Sequence, residues 1–156
     1  YDRGNGAAIL LFNREQRTVV LTRQFRLPVF VNGHDGLLIE VAAGLLEGAA
    51  PEQRIRDEAE EETGYRVHDV KKVFEAYMSP GSVTEKLHFF IAEYDAASKV
   101  SDGGGLEEET EELEVLEWSF DEALAAFHRG EICDAKTIML LQYAAMNNLF
   151  NAQASD

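Results

Sequence analysis

The chain has 156 residues, 46% hydrophobic and 10% aromatic, the size and core content of one compact domain, which excludes disorder over most of its length. With 29 acidic against 14 basic residues the net charge is −15, so neither a nucleic acid nor an anionic membrane surface is an expected partner, since both require a basic field. No apolar run approaches the roughly 20 residues of a membrane helix, no signal-peptide pattern opens the chain, and the single cysteine, Cys133, fits a reducing, cytoplasmic compartment. In chain order, residues 7–12 and 18–24 are apolar, β-branched runs around a polar turn, the pattern of a hairpin. Residues 37–43 (LLIEVAA) read as a third strand with Glu40 pointing off the apolar face. A helix over Pro51–Thr63 opens with Pro and stops at Gly64. Residues 70–77 and 87–94 are two further strands around a loop holding Pro80 and Gly81, and 113–118 is a sixth. A helix over 119–129 starts in a capping box, Ser119 and Glu122, buries Phe120, Leu124 and Phe127, and ends at Gly130. A last helix over 135–150 follows Asp134 as N-cap and carries Ile138, Leu141 and Ala145 on one side. No repeat or linker divides the chain, and strands and helices mix without regular alternation. That predicts a single α/β or α+β domain, a mixed β-sheet sandwiched between helices, over 1–150 with a polar tail at 151–156.

The chemistry concentrates in residues 44–65, GLLEGAAPEQRIRDEAEEETGY. On a helix from Pro51, Glu58 and Glu62 stand one turn apart on one face, with Glu61 beside them. Like charges at that spacing repel, and acids near a helix C-terminus oppose the macrodipole. A hard divalent cation offsets both costs, because Mg²⁺ takes a few carboxylates together with substrate phosphate oxygens. An acidic site of this kind binds an anionic ligand through the metal. The competing interpretation is a solvated acidic helix face, against which stand the dipole conflict, the apolar Ile55 and Ala59 beside the acids, and the glycine frame Gly44…Gly64.

This segment resembles the signature of the Nudix hydrolases, Gx5Ex7REUxEExGU, at Gly44, Glu58, Ala59, Glu61, Glu62, Gly64 and Tyr65. The loop after Gly44 is one residue short, the first Glu of the pattern falls on Ala49 and the Arg on Asp57; Arg54 or Arg56 are candidate substitutes for the Arg, and Glu47 for the Glu. LIEVAAG at 38–44, YMSPGSVTE at 77–85, HFFIAEY at 88–94, GGGLEEETEELEV at 103–115 and GEICDAKT at 130–137 are similar to the ADP-ribose pyrophosphatase-like branch, and within it to the bacterial GDP-mannose hydrolases. The resemblance runs from Tyr1 to about Phe150.

The resemblance implies a Nudix fold and Mg²⁺, with Mn²⁺ as its substitute, held by the carbonyl of Ala43 and by Glu58 and Glu62, with Glu61 as an additional ligand or support. A further acid, placed to bind metal or to orient the attacking water, comes from the loop before the last strand: Glu111 by alignment on the ELEV strand, Glu109 by alignment on the glycines. That residue, Glu62 and Glu85 are the candidate catalytic carboxylates, and Arg26, Ala43, Gly44, Leu45 and Lys136 join them as candidate substrate contacts. The glycines at 103–105 read equally as a phosphate cradle or as a flexible loop. His88, among alternating apolar neighbours, reads as structural.

The implied reaction is metal-dependent hydrolysis of the pyrophosphate bond of a nucleotide sugar, GDP-mannose first and ADP-ribose or another nucleotide sugar next. The rival of another class is a module of the same fold that senses a nucleotide without cleaving it; an acidic Ca²⁺-binding scaffold lacks any DxDxDG loop. Relatives in this branch resemble a two-part protein whose N-terminal strand-rich segment helps form a homodimer. The chain opens at Tyr1 and is expected to lack that segment.

Overall fold

A computed structural model of the protein describes residues 1–107 and 112–151. The expected hairpin is β1 (Gly6–Asn13) and β2 (Thr18–Phe25), paired antiparallel through Leu11–Val20 to Asn13–Thr18. A one-turn helix, α1 (Leu27–Val31), follows where no element was expected. The run at 37–43 is two short strands, β3 (Leu37–Glu40) and β4 (Ala42–Leu45), broken at Val41. Then come α2 (Pro51–Thr63), β5 (Val70–Tyr77), β6 (Lys86–Glu93), β7 (Leu113–Ser119), α3 (Phe120–His128) and α4 (Ala135–Met146).

The seven strands among the described residues form one mixed sheet in the order β3-β2-β1-β6-β5, with β4 on β1 and β7 on β2. β1 runs parallel to β6 from Gly6–Leu87 to Phe12–Glu93. The break at Val41 lets one extended segment serve two neighbours: β3 lies along the end of β2, and β4 lies along the start of β1. Residues of both halves, Leu38 and Glu40 of β3 and Ala43, Gly44 and Leu45 of β4, line one cavity.

β1 is buried at every position, so its period-2 alternation sorts residues between two apolar faces rather than between core and solvent. Ala8, Leu10 and Phe12 join a core with Phe120, Ala123 and Ala126 of α3 and Leu140, Leu141 and Ala144 of α4. Ala7, Ile9 and Leu11 join a second core with Ile55 and Ala59 of α2. The sheet is therefore sandwiched between helices, as expected from the sequence.

The helix faces differ in detail. In α3 the closest-packed residues are Phe120, Ala123 and Ala126, with Leu124 and Phe127 half-buried. In α4 the buried stripe is Thr137, Leu140, Leu141 and Ala144, while Ala145 is exposed and the helix ends at Met146 rather than 150. Thr137 is the cause: its buried hydroxyl accepts from the Val41 backbone N–H at 2.9 Å, and this polar anchor sets the rotation of the helix. Ser119 caps α3 by accepting from the Glu122 N–H at 3.0 Å, but the Glu122 carboxylate pairs with Arg129.

The glycines at 103–105 are neither a cradle nor a slack loop. Gly104 and Gly105 donate to the carbonyls of Glu62 and Glu61 at 2.8 and 3.1 Å, and Gly64 donates to Glu60 at 2.9 Å. Three of the orphan carbonyls at the end of α2 are thereby satisfied, which steadies the turn that carries the acids. The approach is close: Gly64 has φ 80°, and a Cβ there would lie 2.1 Å from the Ser101 carbonyl oxygen. Gly64→Ala is expected to cost about 3 kcal/mol from left-handed strain and overlap together, read as a fall of roughly 10 °C in thermal melting.

Candidate functional site

The site is built on β4 and α2. Glu58 and Glu62 are buried, and the Ala43 N–H donates to the Glu62 carboxylate at 3.1 Å. A Cβ on Gly44 would fall 2.3 Å from the Glu58 carboxyl carbon, so that carboxylate occupies the space a side chain would take. Glycine is required at 44 because an acid approaches the strand, and not for its backbone angles. Arg54, one turn before Glu58, forms an ion pair with it and donates from Nε to the Leu45 carbonyl at 2.9 Å. Arg54 is thus the substitute for the arginine that the motif places at Asp57. Arg56 is turned away to Glu52 and the His68 carbonyl. Glu47 reaches Arg54 at 3.8 Å.

These groups open into a cavity of about 550 Å³. Ala43, Gly44, Leu45, Glu58, Glu62, Glu85, Arg26 and Lys136 all line it, although Arg26 and Lys136, the first and last of them, are 110 positions apart in the sequence. Glu61 is not among them: it lines a neighbouring groove with Asp57, Glu60 and Gly105. Glu109 and Glu111 lie outside the described residues.

Three charged residues in the cavity were not read as site residues from sequence. Arg3 stands 3.8 Å from Glu85. It is brought there because the Tyr1 backbone nitrogen donates to the Ser82 carbonyl at 2.7 Å and the Lys86 N–H donates to Asn5 Oδ1 at 3.0 Å, pinning the first residues along the loop that carries Glu85. Asp134, expected only as an N-cap, does cap α4 by accepting from the Thr137 N–H at 3.2 Å, and also takes Lys136 at 3.0 Å. Glu40 leaves the apolar face as expected, but enters the cavity wall rather than solvent and is 2% exposed. Burial pushes its carboxyl up, yet the Lys136 ammonium and the Arg26 guanidinium outweigh that and hold it below the ordinary carboxylate range. Burial likewise disfavours the charge on Lys136, and Glu40 with Asp134 reverses this and raises it. Removing one partner of such a buried pair costs roughly 3–5 kcal/mol. A lone acid inside LLIEVAA was the available signal, since Glu is almost never buried without a partner.

Among the described residues no three His, Cys, Asp or Glu side chains gather at metal-binding range. Two buried carboxylates and a strand-end carbonyl nevertheless make an all-oxygen donor set. That set fits a hard divalent cation whose other ligands are water and substrate phosphate. His88 has a buried Nδ1 that makes no hydrogen bond among the described residues, stands 3.2 Å from Glu75, and lies outside the cavity. Among the described residues no helix is long and apolar enough to cross a membrane.

The family model for the NUDIX domain matches residues 2–141. A GDP-mannose pyrophosphatase of Pectobacterium atrosepticum is 58% identical over 151 residues, covering 96% of this chain and 77% of that protein. One from Klebsiella pneumoniae is 55% identical over 159 residues, covering 100% of this chain and 79% of its own. A solved ADP compounds hydrolase shares the fold at a TM-score of 0.71 and 15% identity, over 93% of this chain and 76% of that one.

Proposed function

The chain belongs to the NUDIX domain family and is a Nudix hydrolase; from that premise we propose that it hydrolyses GDP-mannose to GMP and mannose 1-phosphate, with Mg²⁺ as its metal. The observation that carries this reading is the convergence of Glu58 and Glu62 on the Ala43–Gly44 strand end, with Arg26 and Lys136 lining the same cavity. Relatives named for that substrate, at 58% and 55% identity, support the choice of nucleotide sugar.

Glu58, Glu62 and the Ala43 carbonyl would hold the metal, which when bound would supply charge neutralisation for the pyrophosphate and a more nucleophilic water. Arg26 and Lys136 bind and orient the phosphates by charge-assisted hydrogen bonds. Gly44 and Leu45 offer backbone to the substrate beside the acids. Glu85, held near Arg3, orients substrate or water, and the proton of the attacking water passes to a carboxylate of the loop before β7, Glu111 or Glu109. Glu61 supports the ligand set from its neighbouring groove. Water adds across the bridging P–O–P bond, one phosphate leaving with guanosine and the other with mannose. The enzyme works as a cytoplasmic homodimer.

The departures at Ala49 and Asp57 favour a nucleotide sensor of the same fold over a hydrolase, and the Arg54–Glu58 ion pair offsets the one at Asp57. The test is product chromatography after incubation with GDP-mannose or ADP-ribose, with Mg²⁺ and with a chelator. GMP and mannose 1-phosphate form faster, and only with metal. Faster AMP release reassigns the substrate; no product from either in a folded chain moves the sensor to first place.

A further inference from the structure

We propose that Glu40 is a positioning residue for the nucleotide sugar: a buried carboxylate that holds Arg26 and Lys136 in one fixed arrangement on the cavity wall. The inference rests on the reading of this cavity as the substrate site, and adds to it a residue that neither binds metal nor meets substrate.

Both Glu40 oxygens are engaged. Arg26 Nε donates to Oε2 at 2.8 Å and its Nη2 to Oε1 at 3.2 Å, a bidentate fork, while Lys136 Nζ donates to Oε1 at 2.5 Å. A carboxylate so occupied, and charged at neutral pH, is poorly placed to take a metal or a proton. What it does is geometric. Arg26 follows β2 and Lys136 sits in the first turn of α4, 14 and 96 residues from Glu40, and nothing local would bring two cations to one point. Held together without an anion between them they would repel, and each carries a long, rotamer-rich stem. Glu40 removes the repulsion and the freedom at once, leaving a receptor set before substrate arrives.

The backbone supports the same function. Thr137 Oγ1 accepts from the Val41 N–H at 2.9 Å and donates to Asp134 at 2.6 Å, so the start of α4 is tied to the residue after Glu40. The strand break and the helix N-terminus are therefore locked at two adjacent points, one neutral and one ionic.

The test is Glu40→Gln, which keeps the shape and removes the charge. Steady-state kinetics on whichever nucleotide sugar the native enzyme cleaves fastest are expected to show KM raised about tenfold or more with kcat within about threefold. In an Arg26→Ala/Lys136→Met background the same substitution leaves KM unchanged, because the residues it acts through are gone. A KM within twofold of native for Glu40→Gln, or a rise of equal size in that background, overturns the proposal. If Glu40→Gln does not fold, Glu40→Met/Lys136→Met removes one buried charge of each sign; its KM is expected to exceed that of Lys136→Met alone, and an equal KM overturns the proposal. If the native enzyme cleaves neither GDP-mannose nor ADP-ribose, the functional reading fails by that result. The clamp is then read by titration with GDP, at least tenfold weaker for Glu40→Gln if it holds and equal if it does not.

Discussion

Glu62→Gln lowers turnover on the order of 10³-fold while the melting temperature stays within about 3 °C. The amide is isosteric, and its carbonyl oxygen can still accept the Ala43 N–H that fixes Glu62 against β4 at 3.1 Å. Only the negative charge is lost, and that charge is what a divalent cation needs from the helix. Asp57→Asn, on the exposed side of α2 where Asp57 accepts from Gln53 at 3.0 Å, is the matched control and keeps activity within about twofold. Activity assays with melting curves on both variants decide the matter. Native activity in Glu62→Gln would remove the carboxylate pair from the site.

Gly44→Ala is expected to lower activity by a different route. The new methyl would lie 2.3 Å from the Glu58 carboxyl carbon and 2.4 Å from its Oε1. Glu58 is also tied to Arg54, itself fastened to the Leu45 carbonyl, so the acid is poorly placed to step aside. Overpacking of this kind costs about 2 kcal/mol, and displacing a metal-holding carboxylate by an ångström costs about 10²-fold in kcat/KM. The two effects separate in a double variant. In a Glu58→Ala background, Gly44→Ala loses its effect on melting temperature, while activity stays absent. A stability penalty that persists without Glu58 would show that the overlap is not its cause.

The helix that carries the acids was legible from residues 51–64 alone, because Pro51 and Gly64 mark its ends by covalent geometry and φ preference. The i, i+4 spacing of Glu58 and Glu62 likewise follows from helix pitch. The hairpin of β1 and β2 was legible in two apolar, β-branched runs around a polar turn. By contrast, α1 spans five residues and carries no period long enough to detect, and the break at Val41 is invisible in LLIEVAA because each half pairs with a different strand. The glycines at 103–105 have no local signature of a helix cap, since the carbonyls they satisfy lie forty residues earlier.

The division in the candidate site has the same origin. Local sequence sets what depends on near neighbours: the carboxylate pair, the glycine facing it, the ordered motifs that mark the family. Which charges share a cavity depends on contacts between distant segments, and only the folded chain decides it. Glu40 is stable at 2% exposure only because Arg26 and Lys136 arrive from other elements. Arg3 enters because the first residues are pinned along the 82–86 loop, and Arg54 takes over from Asp57 because it stands one turn before Glu58 on the same face of α2. Burying a charge is costly enough that its partners must be present in three dimensions, and pairings of that range leave no periodic trace in the sequence.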